Sequence, residues 1–343
     1  MNLFRSYQFP FFLMVATAVA ALIIFWSIMD AVLVGASLAV VLIPVHDRVA
    51  ARTKPWISAT IVTLLVLAVS VVFTYFTIII LSQNATTLTT MFGTIASWLD
   101  NPVTNPVTFG VPLPKASLIH LLTSGIALFV DYQKTLISFL PFIAFKLFVL
   151  FFSLFALLLW GKDLKTRFME HVPPALHRYV HRLSEVMGNT LYVIYVVQIA
   201  IAVLTFFIAI PVFYLLGYGN ILFFSFLTAF CELIPILGAS VAFILIGAYA
   251  LAIGDTRGVF IMFIFGYLIV SAGPEIFIRP VLVGRRVKIN PVIMFIGIIG
   301  GLLTLGLAGF VLGPVIIVLL ITSYKMYVHE KKSAEYPAIS LVP

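Results

Sequence analysis

The sequence predicts an all-α, polytopic integral membrane protein of about eight membrane elements, two of them broken by Gly and Pro and read as re-entrant hairpins. Three observations carry this prediction. Hydrophobic residues fill 63% of the 343 positions and charged residues only 9%, whereas soluble domains carry roughly a quarter charged residues. Mean hydropathy is +1.20. Apolar runs near the ~20 residues that a bilayer core demands recur along the chain. The same figures exclude a soluble enzyme, a disordered chain and a nucleic-acid-binding module. The net charge of +8 reads as the Lys/Arg excess of cytoplasmic loops facing anionic lipid.

Residues 1–81 hold three spans: Phe11 to Met29, ended by Asp30, then the shorter run Ala31 to Val45, then Ile57 to Leu81. The first run continues straight into the second, which argues against a cleaved signal peptide. Residues 82–135 are rich in Thr, Asn and Pro, with Lys115 and Lys134 balancing Asp100 and Asp131, and read as an external polar segment. Residues 136–160 form the fourth span. Residues 161–189 carry Lys162, Lys165, Arg167, Arg178 and Arg182, and Leu176, Tyr179, Val180, Leu183 and Met187 recur at helical spacing. That pattern predicts a cytoplasmic amphipathic helix on the membrane surface, starting at Pro173-Pro174. A fifth span runs from Thr190 to Leu216 and a turn follows at 217–220. Residues 190–325 form a C-terminal transport core, and 326–343 a cytoplasmic tail.

Within that core, 221–253 and 291–324 are each over 30 residues long and broken near the middle. As single spans they would leave 13 of the 20 Lys/Arg in the cytoplasm and 6 outside; as hairpins, 16 inside and 3 outside, with Lys146 in the membrane either way. The positive-inside bias favours hairpins, and places both termini in the cytoplasm of an inner membrane protein. Two oppositely inserted broken elements point to a solute site near the bilayer midplane, because irregular backbone at that depth is tolerated only against protein or a water-filled cavity.

Ionisable groups at such depth need a reason to be there. Glu232 precedes the break of Glu232-Leu-Ile-Pro235-Ile-Leu-Gly238, where it would bind a cation, exchange a proton, or cap orphan amides at the hairpin tip. Glu275 and Arg279 are spaced i,i+4, acid first, as a neutralising pair, or with Arg279 turned to a solute. Arg279 precedes Pro280, expected to end its helix. Lys146 lies mid-span and calls for an acidic partner, with Glu232 the first candidate. Gln198 reads as an inter-helix hydrogen-bonding residue. The Gly309-to-Gly313 spacing suits close helix packing, and solute is expected between the tips near Pro235 and Gly309. Arg285, Arg286 and Lys288 read as a lipid-headgroup contact, and Cys231 as a small packing residue. His171, His177 and His181 lack the acid or sulfur companions of a metal site. With no P-loop and no H-E-x-x-H, neither ATP-driven transport nor zinc hydrolysis is indicated, and no cofactor is called for.

Three blocks, ELIPILGA at 232–239, IRPVLVGRRVKINPVIM at 278–294 and GGLLTLGLAGFVLGPV at 300–315, resemble in residues, order and spacing the autoinducer-2 exporter family of membrane transporters. The resemblance is specific over about 190–324 and one of topology over 1–189. It implies secondary transport, either export of the furanone autoinducer-2 or a similar small polar solute, or sodium/proton antiport, by a homo-oligomer, a pentamer among the forms it allows. The chain departs from the pattern at Pro274-Glu275, where family members often carry Asp or Asn. From another class, a passive channel or oligomeric scaffold would use the same glycines for subunit packing.

Overall fold

The computed structural model describes residues 3–100, 115–234, 238–284 and 291–335. Every regular element among them is helical, and six helices are long and apolar enough to cross a membrane. Pro235 and the basic run Arg285, Arg286 and Lys288 lie outside the described residues.

The chain opens with α1 (Leu3–Ile24) and α2 (Trp26–Ala50). The break between them falls at Phe25, not at Asp30. Asp30 sits in the first turns of α2 and does not end it, because its charge is met by Lys146. Helix α3 (Pro55–Gln83) matches the third predicted span. Within the polar stretch 82–135, α4 (Ala85–Asp100) occupies the first part, and α5 (Lys115–His171) begins well before the predicted fourth span and runs past its end. It stops where Pro173 bars the helical conformation to the residue before it. Pro174 then opens α6 (Pro174–Tyr192), where its missing N–H costs nothing. A π-helical turn (Val193–Val197) joins α6 to α7 (Gln198–Leu216).

The first broken element is α8 (Ile221–Glu232) and α9 (Ser240–Ala252), packed on each other. At 1.5 Å per residue each limb is about 20 Å long, short of the ~30 Å hydrocarbon core. A short α10 (Thr256–Ile261) leads into two π-helical stretches, Met262–Ala272 and Pro274–Ile278, and then α11 (Arg279–Val283). Pro280 therefore does not end the helix at Arg279. It stands in the first turn of α11, where no helical N–H is missed.

Helix α12 (Pro291–Glu335) is the second broken element, and its break is at Gly306, with φ 58° and ψ −136°, a conformation only glycine adopts at low cost. The two limbs fold back on each other with their backbones in contact. A Cβ on Gly301 would stand 2.6 Å from the Gly309 carbonyl carbon, and one on Gly297 would stand 2.9 Å from the Pro314 Cα. Gly309 is thus a packing residue one turn beyond the tip. This is how membrane helices associate, since lipid removes the hydrophobic drive and close dispersion contact replaces it.

The chain divides into two compact units. One comprises residues 1–64, 142–191 and 292–343. Here Gly35 of α2 crosses α5 so closely that a Cβ would meet the Leu150 carbonyl oxygen at 2.5 Å. Lys146 Nζ donates to Asp30 Oδ2 at 2.6 Å and lies 5.0 Å from the centre of the Phe142 ring. Ser58 Oγ donates to the His46 carbonyl at 2.8 Å and accepts from His46 Nδ1 at 3.0 Å, tying α3 to α2. The other unit comprises residues 65–141 and 192–291. Its core is aromatic: Phe213 lies 5.5 Å from Phe224 and 5.9 Å from Phe243, centre to centre, and Phe223 lies 5.1 Å from Phe224. Each unit also presents apolar side chains outward, such as Leu303 in the first and Phe263 in the second, as lipid-facing helices do.

Candidate functional site

The polar residues that the sequence singles out in the C-terminal core converge within the second unit, around the break between α8 and α9. Glu232, the last residue of α8, is 1% exposed. Its Oε2 accepts the backbone N–H of Ala239 at 2.7 Å, so the carboxyl reaches across the break and caps the start of α9. Gly238 makes room for this. It has φ +45°, and a Cβ there would stand 2.7 Å from Oε2. The capping alternative raised by the sequence is thus realised for one oxygen.

The other oxygen, Oε1, is buried and receives no hydrogen bond from any donor. What lies within hydrogen-bonding reach of Glu232 is the carboxyl of Glu275. Two carboxylates are both acceptors, so they repel when ionised and attract only with a proton between them. Glu275 is occupied on its far side: Arg279 donates from Nε to Oε2 and from Nη2 to Oε1, the latter at 2.6 Å. The i,i+4 pair foreseen in the sequence is therefore formed, as a bidentate fork.

Gln198 closes the cluster. It is 3% exposed, accepts from Arg279 Nη2 at 3.0 Å and donates from Nε2 to the Glu232 carbonyl. Its inter-helix role was legible; its two partners were not. Beside it, Ser240 at the start of α9 and Ser271 in the first π stretch share a 2.7 Å hydrogen bond. Sequence reasoning passed over both serines, whose only signal was polarity within apolar runs. It also missed the π turns, one directly before Gln198 and one that contains Glu275; such turns often mark functional sites.

Two of the expected site residues sit elsewhere. Lys146 belongs to the first unit, and its acid is Asp30, not Glu232. Asp30 had been read as a helix break, which hid it as a charge partner. Gly309 also lies in the first unit, against Gly301. Pro235 is outside the described residues. Among the described residues no group of three or more His, Cys, Asp or Glu is placed to hold a metal ion.

At the outer edge of the same unit, Asp255 caps α10 through the Gly258 N–H at 2.9 Å and accepts from the Tyr218 hydroxyl at 2.6 Å. Those two donors hold the Asp255 carboxyl below the usual carboxylate range, and burial with the Asp255 bond keeps the Tyr218 phenol protonated well above its ordinary range.

The chain is similar to several known proteins. The chain is 29% identical over 188 residues to the Methanocaldococcus jannaschii protein named "Putative transport protein MJ1177", a match covering 54% of this chain and 56% of that one. It is 26% identical over 315 residues to a Methanothermobacter thermautotrophicus protein of the same description, covering 89% of each. A 54-residue stretch is 43% identical to the similarly named PH1000 of Pyrococcus horikoshii, covering 16% of this chain and 15% of that one. A family model described as AI-2E family transporter matches residues 11–329, and the chain belongs to that family of multi-pass membrane transporters.

Proposed function

We propose that this transporter is a secondary exporter of a small, neutral, polar solute of the autoinducer-2 type across the cytoplasmic membrane, coupled to protons at Glu232. The observation that carries the coupling is the meeting of Glu232 and Glu275, one carboxyl with a donor-free buried oxygen, the other held by arginine. A proton shared by the two rests on Glu232 Oε1, because both oxygens of Glu275 already accept from Arg279. Releasing it leaves two like charges in contact, and solute exchange that moves α8 against the π stretch relieves them.

Arg279 supports a neutral solute. Its Nε and Nη2 donors are engaged by Glu275 and Gln198, and the Glu275 carboxylate already neutralises its charge, so an anion would compete with a ligand in place. The α8–α9 element, too short in either limb to span, is read as re-entrant from outside, with both chain ends cytoplasmic. Sodium/proton antiport is the second reading, and the same pair of acids favours it, since such exchange needs a titratable group. The passive scaffold reading does not call for a carboxyl without a donor.

The test is efflux of autoinducer-2 from loaded proteoliposomes, with and without an imposed pH gradient. Saturable, gradient-dependent efflux that Glu232→Gln abolishes is expected. Undiminished coupled efflux in Glu232→Gln would remove the acid from the mechanism. Sodium-dependent proton movement without solute efflux would establish the antiporter instead.

A further inference from the structure

Two buried hydroxyls in the second unit behave differently from the rest. Most helical Ser and Thr side chains in this protein bond back to a carbonyl three or four residues earlier, as Thr228 does to Phe224 at 2.8 Å and Thr190 to Val186 at 2.8 Å. Thr205 on α7 and Ser225 on α8 do not. Both are 0% exposed, and neither hydroxyl has a hydrogen-bond partner. An unsatisfied hydroxyl buried in an apolar setting costs about 1–3 kcal/mol, and such groups in native proteins are usually met by ordered water.

Their placement is not scattered. Thr205 is seven residues from Gln198 on α7, and Ser225 is seven residues from Glu232 on α8. Seven residues make almost two whole turns, so each hydroxyl lies on the same face as the site residue of its own helix. Helices α7 and α8 are antiparallel neighbours, and Gln198 meets the Glu232 carbonyl. Equal steps back from that contact bring Thr205 and Ser225 to about the same level, roughly 10 Å from Glu232. Among the described residues of this unit, the three buried side-chain oxygens that lack partners, Thr205 Oγ1, Ser225 Oγ and Glu232 Oε1, therefore follow one seam. Just beyond Ser225 the seam closes on the clustered rings of Phe224, Phe213 and Phe243.

We infer that the α7–α8 seam holds a short file of ordered water that relays protons between Glu232 and the level of Thr205 and Ser225, where the phenylalanine cluster must part before the proton passes to water beyond it. This rests on the proton-coupled reading of Glu232. At the usual ~2.8 Å O···O spacing, about three water oxygens bridge the gap, each with the two or more polar neighbours that a buried water needs. A hydroxyl suits a relay because it accepts one proton on its oxygen as it passes its own to the next, and so ends unchanged. The charged groups gathered at the Glu232 end of this file are Glu232, Glu275 and Arg279.

The experiment measures pH-gradient-driven proton flux in proteoliposomes of the full chain, comparing wild type, the pair Thr205→Val with Ser225→Ala, the conservative Thr205→Ser, and Glu232→Gln. The apolar pair is expected to slow flux tenfold or more, and Thr205→Ser to stay within twofold of wild type. Thermal unfolding separates a relay from mere packing. A dry seam gains stability when unsatisfied hydroxyls are replaced by apolar groups, so a raised midpoint with unchanged flux in the pair overturns the inference. Equal loss in Thr205→Ser and in the apolar pair also overturns it, since the hydroxyl would not be the operative group. Flux that survives in the pair but vanishes in Glu232→Gln sinks the relay and leaves the coupling site standing. Flux that survives in Glu232→Gln removes the coupling site itself.

Discussion

Adding one methyl group at Gly301 tests the second hairpin directly. The new Cβ would stand 2.6 Å from the Gly309 carbonyl carbon and 3.1 Å from the Gly313 Cα. Ordinary carbon–carbon contact is about 3.5–4.0 Å, so the limbs must part by about an ångström. Both obstacles are backbone, so no rotamer change relieves them. Overpacking of this kind costs about 1–3 kcal/mol, and here separation also weakens every dispersion contact along the Gly297–Pro314 and Gly301–Gly309 line. The neighbouring residue supplies the control. A Cβ on Gly300 meets nothing within 4 Å, so Gly300→Ala keeps the helix-propensity gain of roughly 0.5–1 kcal/mol. Both variants share that gain, so the two alanines, one residue apart, should differ in stability by the overpacking cost alone, about 1–3 kcal/mol, Gly301→Ala being the weaker. Unfolding in mixed micelles, followed by circular dichroism over a denaturing-detergent titration, reads the difference. Equal midpoints would refute the glycine-to-glycine packing.

Three further outcomes follow from the same geometry. Gly238→Ala should abolish gradient-driven transport while the purified protein keeps its helical spectrum, because the new Cβ displaces the Glu232 carboxylate from its Ala239 cap; retained coupling would separate that cap from transport. Lys146→Met alone should cost about 2–3 kcal/mol by stranding Asp30 in an apolar setting, and Lys146→Met with Asp30→Asn should recover most of it, a recovery that thermal unfolding of the single and double variants checks. For Asp255, a carboxyl whose folded pKa is depressed stabilises the fold above its unfolded value near 3.9 and loses that contribution as pH falls through the folded value. Wild type should therefore unfold at a higher temperature than Tyr218→Phe near pH 6, and the gap should narrow as pH falls below the usual carboxylate range; a gap independent of pH would show that the hydroxyl does not act through the carboxyl.

The helical membrane class was legible because composition alone forces it, and so were the two broken elements, since Gly and Pro clusters interrupt runs too long for one span. Local spacing disclosed the Glu275–Arg279 pair, which is an i,i+4 contact within one stretch of helix. What stayed hidden involved partners far apart in the chain. Nothing near Lys146 indicates that its acid is 116 residues away at Asp30. Nothing near Glu232 indicates that one of its oxygens faces Glu275. One helix end was misplaced where a proline was read as a stop: Pro280 opens a helix. The tip of the second hairpin was misplaced because five neighbouring glycines look alike in sequence, and only Gly306 takes the left-handed backbone there.

The π-helical path from Met262 to Ile278 gives the charged pair an unusual kind of address. A π turn takes up a residue more than an α turn, and in an α-helix each residue advances the azimuth by about 100°. The direction in which Glu275 and Arg279 point is thus set by how the surplus residues are distributed along this stretch, as well as by what those residues are. Passing one surplus residue from the N-terminal side of Glu275 to its C-terminal side would swing the carboxyl through roughly that angle, away from Glu232, while the helices at either end stay in place. Such a creeping fold in the backbone, like a ruck pushed along a carpet, needs no hinge and no rigid-body displacement.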